Sequence, residues 1–366
     1  MIDNITLEGF KCFCDETDIP LSQITIMYGK NGRGKSSVAQ SLLLISQTMI
    51  AYNSLGNLLL AGDFVDLGTF DDVKNNISNS DDFKINIRTA FDCVDMSFAR
   101  YSNKPQLAKL NRFIVNGVDQ FDVKSDIKGE KETKSKLPGS TSDVNMLQNL
   151  KLIQYVAAGR LGPVNSVPRR DSLTEDWIGV NGENVINVLS NQDPNFIVNV
   201  QKALSKVLSG ATIKINNEAT DRIELFLNSH DGSETFKPVN VGFGYSYVLP
   251  VIVAALMAKK ESLLIVENPE AHLHPAAQSR LMKFLIETAK EKKLQLIIES
   301  HSDHVVNGMR IAMKEGLLSP KDGHIVYFSD EEDDQIQVIT SDVNGTLSDY
   351  PDDFMDEWTS QMLKLV

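Results

Sequence analysis

Cysteine is scarce in this chain: Cys12, Cys14 and Cys93 are the only three in 366 residues. Cys12 and Cys14 stand two apart without the second pair a zinc site needs, so free thiols in a reducing compartment are expected. Long apolar runs are missing too. The longest, residues 248–258, is interrupted by Pro250 and is too short to span a bilayer. No charged leader with a cleavage site opens the sequence, so a soluble, cytoplasmic protein with no membrane partner is expected. Positive charge is in deficit, 36 Lys and Arg against 49 Asp and Glu, for a net charge of −13. Such a surface repels nucleic acid, and DNA contact would need a local basic patch. Sustained heptads and internal repeats are absent, which excludes a long coiled coil and a solenoid.

What is present is chemically more pointed. Residues 24–28 read as a buried strand running into GKNGRGKSS, that is Gly29, Lys30, Asn31, Gly32, Arg33, Gly34, Lys35, Ser36 and Ser37. Gly29-x4-Gly34-Lys35-Ser36 fits the P-loop pattern, with a strand before it and helical spacing (SSVAQSLLLISQTM) after it. Glycines allow successive backbone N–H groups to turn toward one anion, and a helix starting near Lys35 adds its positive end. Lys35 would reach the terminal phosphates of ATP, and the Ser36 hydroxyl would ligate Mg²⁺. A glycine-rich surface turn is the plainer alternative.

Far downstream, residues 263–275 read LLIVENPEAHLHP. Four apolar residues ending in Glu267 have the look of a buried parallel strand that delivers a carboxylate at its C-terminal edge, where ligands bind in open α/β sheets. A core strand followed by a polar loop is the bland alternative. Residues 294–298 form a second such run, ending in Glu299-Ser300-His301. Residues 241–249, VGFGYSYVL, place Gly242, Gly244 and Ser246 at the start of an apolar helix. They suit a second anion cradle or a glycine-broken turn equally well.

The remaining chain is large enough for one big or two medium domains. Residues 5–13 and 17–21 read as strands, the second confined to a sheet edge by Pro20. Period-2 patterns between residues 83 and 124 (KINIRTAF, SFARY, RFIVNGVDQFDV) read as antiparallel strands. Residues 125–143, rich in Lys, Ser and Gly, read as a mobile surface loop. Residues 150–158 read as a strand leading to a Gly- and Pro-broken loop, in which Arg160, Arg169 or Arg170 could meet a phosphate. Helices are expected at 183–189, 195–208 and 275–292, strands at 211–215 and 222–227, and two short strands from Ile325. Residues 330–366 carry eleven Asp or Glu against Lys364 alone, so this stretch should not bind nucleic acid.

The order of these pieces resembles the ABC-type ATPase heads of the SMC, RecF and OLD (overcoming lysogenisation defect) group. GKNGRGKSS matches Walker A, VGFGYS a shortened ABC signature, LLIVENPEAHLHP Walker B, and the run ending ESHSDH the switch-histidine segment. ENPEAHLHPAAQ and DYPDDFMDEW are similar to a branch of short ATPases with a C-terminal domain of unknown function, often found in anti-phage defence. The resemblance implies an α/β fold, an ABC-ATPase-like P-loop NTPase head with a mixed sheet, an antiparallel β portion and a helical lobe. It covers residues 1–70 and 235–366 well.

Ser36 and Glu267 are 231 positions apart (267 − 36 = 231), so a large insertion is expected. Residues 1–70 and 235–330 would form a discontinuous core, 71–234 an inserted lobe, and 331–366 an acidic segment packed on the core. The stretch after His301 is too short for the nuclease domain of OLD proteins, so an effector such as a nuclease or toxin is expected on a separate chain. The resemblance further implies ATP and Mg²⁺ as ligands, with Ser36 and Glu267 on the metal, His301 sensing the γ-phosphate, and a homodimer. In that dimer Gly242, Gly244 and Ser246 of one copy cover the nucleotide of the other. Alternatives are a DNA-associated repair ATPase and a slowly hydrolysing nucleotide-bound scaffold. Against the family pattern DEPE, Asn268 replaces the usual catalytic Glu, and an amide cannot accept a proton. Either Glu270 serves as base, favoured as the nearby carboxylate, or hydrolysis is slow and nucleotide binding is the main signal.

Overall fold

A computed structural model describes residues 1–120, 144–170, 177–219, 221–228, 234–330, 335–355 and 357–365. From the N-terminus, β1 (Ile2–Glu8) and β2 (Thr17–Pro20) precede β3 (Ile24–Gly29) and helix α1 (Lys35–Tyr52). β4 (Asn57–Leu59) and one-turn α2 (Phe70–Val73) lead to β5 (Asp82–Thr89), β6 (Cys93–Arg100), β7 (Leu107–Val115) and β8 (Val118–Asp119). Next come α3 (Asn145–Leu150), β9 (Gln154–Val156), β10 (Ser166–Pro168), α4 (Val185–Asn191) and α5 (Pro194–Val207). β11 (Thr212–Asn216), β12 (Arg222–Asn228), α6 (Phe243–Met257) and β13 (Leu263–Glu267) follow, then α7 (Pro275–Lys292) and β14 (Gln295–Glu299). The last elements are α8 (Asp303–Lys314), β15 (Gly323–Phe328), β16 (Ile336–Ile339) and α9 (Glu357–Leu365).

The chain divides into two compact units. The first holds Met1–Ser22, Lys30–Ile153 and Phe328–Ile336. Its sheet runs β2-β1-β5-β6-β7-β4, with β8 on β7, and every pairing is antiparallel. Alternation does what a period of two demands: Phe83, Ile85 and Ile87 of β5 are buried, opposite Phe98, Met96 and Val94 of β6. β2, with Pro20, is an edge strand as its proline requires. Helix α1 is buried along most of its length, most of its polar residues included. Its buried Gln47 donates to Leu59 O and Val65 O and accepts from Phe64 N and Val65 N, which leaves the amide satisfied.

The second unit holds Gln23–Gly29, Gln154–Tyr327 and Gln337–Val366. Its six-stranded sheet runs β16-β15-β3-β14-β13-β9, and β3, β14, β13 and β9 are parallel. β13 and β14 are buried at every position, and their middles are the apolar runs that a sheet covered on both faces selects. A second sheet, β10-β12-β11, is antiparallel. Helix α8 packs on α7 at Gly308, where a Cβ would lie 2.8 Å from Met282 Cβ. Lys292 Nζ caps the end of α6 by donating to Ala255 O, Leu256 O and Ala258 O. The C-terminal stretch enters this core through Phe354, whose ring meets Tyr28 and Tyr327 at 5.2 and 5.5 Å.

The mixed α/β architecture agrees with the expected fold class. Locally the structure corrects two readings. Residues 150–158 are not one strand: Leu150 ends α3, a turn takes up the N–H groups of Leu152 and Ile153, and only Gln154–Val156 pair. Residues 303–314, to which the sequence reading assigns nothing, are α8. Ser302 caps it by accepting from His304 N, and Val305, Val306, Met309, Ala312 and Met313 form its buried stripe. Within residues 71–234, those up to Ile153 fall in the first unit and those from Gln154 in the second. The expected mobile loop at 125–143 lies outside the described residues, and no helix among those described is long and apolar enough to cross a membrane.

At α5, Asp193 accepts from Asn195 N and Phe196 N, with Pro194 at the first helical position. Asp193→Ala is expected to cost about 1 kcal/mol, and Asp193→Asn much less. Urea unfolding with equal midpoints for Asp193→Ala and the parent protein would show that this cap is idle.

Candidate functional site

β3, β14 and β13 run parallel, with Met27 opposite Glu299 and Glu299 opposite Glu267, so their C-terminal ends share one edge of the second unit's sheet. That is the ligand-binding edge of an open α/β sheet. Gly29 ends β3 there, and the chain passes at Lys30 into the first unit.

In the first unit, residues 30–34 turn into α1. Gly34 is its N-cap at φ +107°, and a Cβ would stand 2.6 Å from Phe13 Cζ and 2.9 Å from Cys12 Sγ, so only glycine fits. Lys35 is buried, and its Nζ donates back across the loop to Lys30 O at 2.5 Å. Ser36 is half-buried in the first turn, and Ser37 is buried with its Oγ 4.0 Å from Cys12 Sγ. Asn31 and Gly32 are exposed, Gly32 at φ +77°. Lys30 and Arg33 both pair with Asp330, at 2.5 and 2.6 Å. The hydrogen bond from Lys30, with that from Arg33 and both charges, holds the Asp330 carboxyl below the usual carboxylate range. What the loop offers an anion is therefore its N–H groups, the helix N-terminus and the Lys35 ammonium.

In the second unit, Glu267 is held on both oxygens: Oε1 accepts from Tyr155 OH at 2.9 Å and Oε2 from Ala158 N at 3.0 Å. Burial, and then the neighbouring Glu267 charge, push the Tyr155 phenol above its ordinary range, so it remains a donor. The chain then reverses at Asn268, a left-handed residue (φ +43°) whose N–H donates to Glu299 O at 2.7 Å. The reversal puts Glu270 Oε1 2.9 Å from the backbone N–H of His301, while Glu270 Oε2 is buried with no hydrogen-bond partner among the described residues. His274 is a cap: its Nδ1 accepts from Ala276 N at the start of α7.

Gly242 caps α6, and a Cβ on Gly244 would lie 2.7 Å from His272 O, so the helix start sits directly on the acidic turn. Tyr247 and Phe243 face the His272 ring at 4.4 and 5.6 Å. Ser246 is half-buried in the same helical turn. Thus Glu267, Glu270, His301, Gly242, Gly244 and Ser246 belong with Gly29 to the second unit, and Lys30 to Ser37 to the first. The three arginines of the Gly- and Pro-broken loop differ in their surroundings. Arg160 is buried with its donors on backbone carbonyls, Arg169 Nη2 donates to Asn217 O and Ala219 O, and Arg170 is tied through its backbone N–H to Asn187. Tyr155 and Tyr247 are additions that the sequence reading leaves out, since each sits within an apolar run that reads as core. Among the described residues no group of three or more His, Cys, Asp or Glu could hold a metal alone.

A family model described as "AAA domain, putative AbiEii toxin, Type IV TA system" matches residues 97–307. One described as "AAA ATPase domain" matches residues 1–151, and one for a protein of unknown function (DUF3696) matches residues 318–365. The chain is 21% identical to an OLD nuclease of Thermus scotoductus over 92% of its own length, and it spans 65% of that relative, just under two thirds. It is similar in fold to the SmcHead bound to the C-winged helix domain of ScpA, with a TM-score of 0.57 and 16% identity over 93% of this chain and 97% of that one. The Smc head domain with an extended coiled coil, bound to the C-terminal domain of ScpA derived from Pyrococcus furiosus, has a TM-score of 0.56 and 13% identity over 100% and 98%.

Because a methyl at Gly34 has nowhere to go, Gly34→Ala is expected to weaken ATP binding by tenfold or more while the fold persists. Fluorescence titration with a labelled ATP analogue measures this, and parent-like affinity would remove the cradle from the P-loop.

Proposed function

The chain belongs to the AAA-domain family that spans residues 97–307 and is a P-loop ATPase of the SMC, RecF and OLD type, and from that premise we propose that it is an ATP-driven dimeric switch controlling a separate effector. The effector is a nuclease or toxin, and its setting is prokaryotic anti-phage defence. The family description naming a toxin of a Type IV system, and the OLD nuclease among its relatives, support that choice of effector class. The ATPase core is the discontinuous pair of segments 1–70 and 235–330.

One observation carries the hydrolytic part: Glu270 has one oxygen anchored on His301 N–H and the other buried with no hydrogen-bond partner among the described residues. A carboxylate held that way is fixed in direction and keeps a lone pair for a water proton. Glu270 takes the proton as the water oxygen attacks the γ-phosphorus, and ADP leaves. Lys35 neutralises phosphate charge from the loop. Mg²⁺ is proposed as the counter-ion of the nucleotide, with the Ser36 hydroxyl and the Glu267 carboxylate as hard-oxygen ligands of the kind this ion takes. Bound with the nucleotide, the ion would offset phosphate charge. Asn268, an amide, orients water without taking its proton.

Lys35→Ala is expected to lower turnover about a hundredfold with the fold intact. Glu270→Gln should lose a similar factor yet still bind ATP and stay in the bound state, whereas Glu267→Gln weakens Mg²⁺-dependent nucleotide use. Hydrolysis by Glu270→Gln at the parent rate would move the water to Asn268. For the dimer, Lys35→Ala protein is mixed with a Ser246→Arg variant, each inactive alone. Random pairing makes half the dimers mixed with one good site each, so about a quarter of parental activity should return. No recovery, with monomers persisting in ATP by light scattering, would leave an ATPase that works alone.

A further inference from the structure

Arg160 is one of the most deeply buried cations of the second unit, at 3% exposure, yet among the described residues no carboxylate hydrogen-bonds to it. Its Nη1 donates to Ala157 O at 3.0 Å and to Glu267 O at 2.7 Å, and its Nη2 to Asn268 O at 2.5 Å. The guanidinium lies 5.5 Å from the centroid of the Tyr247 ring, with Nε buried and without a partner among the described residues. Removing a cation from water is costly, and three neutral carbonyls and a ring face offset it only in part. Burial accordingly pushes the guanidinium down to about 10, while the nearby charges of Glu270 and Glu267 oppose that shift, so it stays protonated at neutral pH.

The carbonyls it grips say why a cation belongs there. Glu267 O and Asn268 O flank the left-handed residue at which the chain turns from β13 toward Glu270. Asn268 is thus fixed on both sides, its N–H on Glu299 O and its C=O on Arg160. We propose that Arg160 is a positioning residue for ATP hydrolysis: backed by Tyr247, it clamps the main chain of the acidic turn so that Glu270 keeps its place against His301. This rests on the reading of Glu270 as base and extends it, since Tyr247 belongs to α6 and makes the signature helix part of the support.

Lysine replaces a planar fork with a single ammonium, which cannot reach these carbonyls from two separate nitrogens while laying a flat face on a ring. Arg160→Lys is therefore expected to lower kcat tenfold or more while the Kd for a non-hydrolysable ATP analogue stays within threefold. In the Glu270→Gln background the same change should cost less than twofold, because the group it positions is gone. Parental kcat in Arg160→Lys overturns the proposal, as does a Kd that rises in step with the loss of kcat, or a loss that multiplies in full with Glu270→Gln. If Glu270→Gln alone turns over at the parental rate, the base assignment fails and the clamp falls with it, whereas a Glu270→Gln defect beside parental kcat in Arg160→Lys refutes the clamp alone. Should Arg160→Lys fail to fold, Tyr247→Leu at its half-buried helix position decides. A threefold or greater loss of kcat at unchanged Kd supports the clamp, and parental kcat refutes it.

Discussion

The end of β13 is held by its main chain. Asn268 donates to Glu299 O, Arg160 draws in the carbonyls on both sides of it, and the Glu267 side chain is pinned by Tyr155 and Ala158. Each bond is worth only about 1 kcal/mol net, somewhat more where a charge takes part. Together they specify one path for three residues that would otherwise have several. Everything chemical in the second unit hangs from that path: the carboxylate of Glu270 on His301 N–H, the close seat of Gly244 on His272 O, and the His272 ring against Tyr247.

A buried charge is a poor way to add stability and a good way to specify geometry. An apolar residue at position 160 would avoid the desolvation cost but leave Glu267 O and Asn268 O to find other donors. Arginine supplies several donors in one plane, which is why one side chain can hold two successive carbonyls and still present its face to a ring. Its neighbours Glu267 and Glu270 add attraction without hydrogen bonds to it, so both carboxylates remain available for other work.

How far the sequence reveals this depends on the range of the interactions. The P-loop is legible because glycine positions, the lysine and the following helix are all local. β13 and β14 are legible because a doubly covered parallel strand selects an apolar run, here ended in each case by a glutamate. The antiparallel strands of the first unit show their period of two directly. Helix α8 carried a readable stripe, masked by Gly308 and Asn307 in its middle. The supports of the acidic turn are a different matter: Tyr155 and Glu267 are 112 positions apart and Arg160 and Asn268 are 108 apart, and no local pattern links them. Arg160 stood out as an arginine in a broken loop, but its direction, inward to carbonyls, is decided by packing. The division of residues 71–234 is equally tertiary, since composition changes little across Ile153 and Gln154.

The same turn accounts for the amide where the related pattern carries glutamate. At φ +43° an L side chain crowds its own backbone, at a cost of roughly 1–2 kcal/mol for most residues, and asparagine tolerates this region best after glycine. With the chain reversing there and both of its neighbouring peptide groups bound, a residue suited to left-handed backbone is favoured over one that carries charge. The acid two residues further on then has what position 268 lacks: a carboxylate, one oxygen fixed by a backbone N–H, and one with no donor among the described residues. Asparagine at 268 and glutamate at 270 are therefore one arrangement rather than two, the first shaping the turn that the second needs.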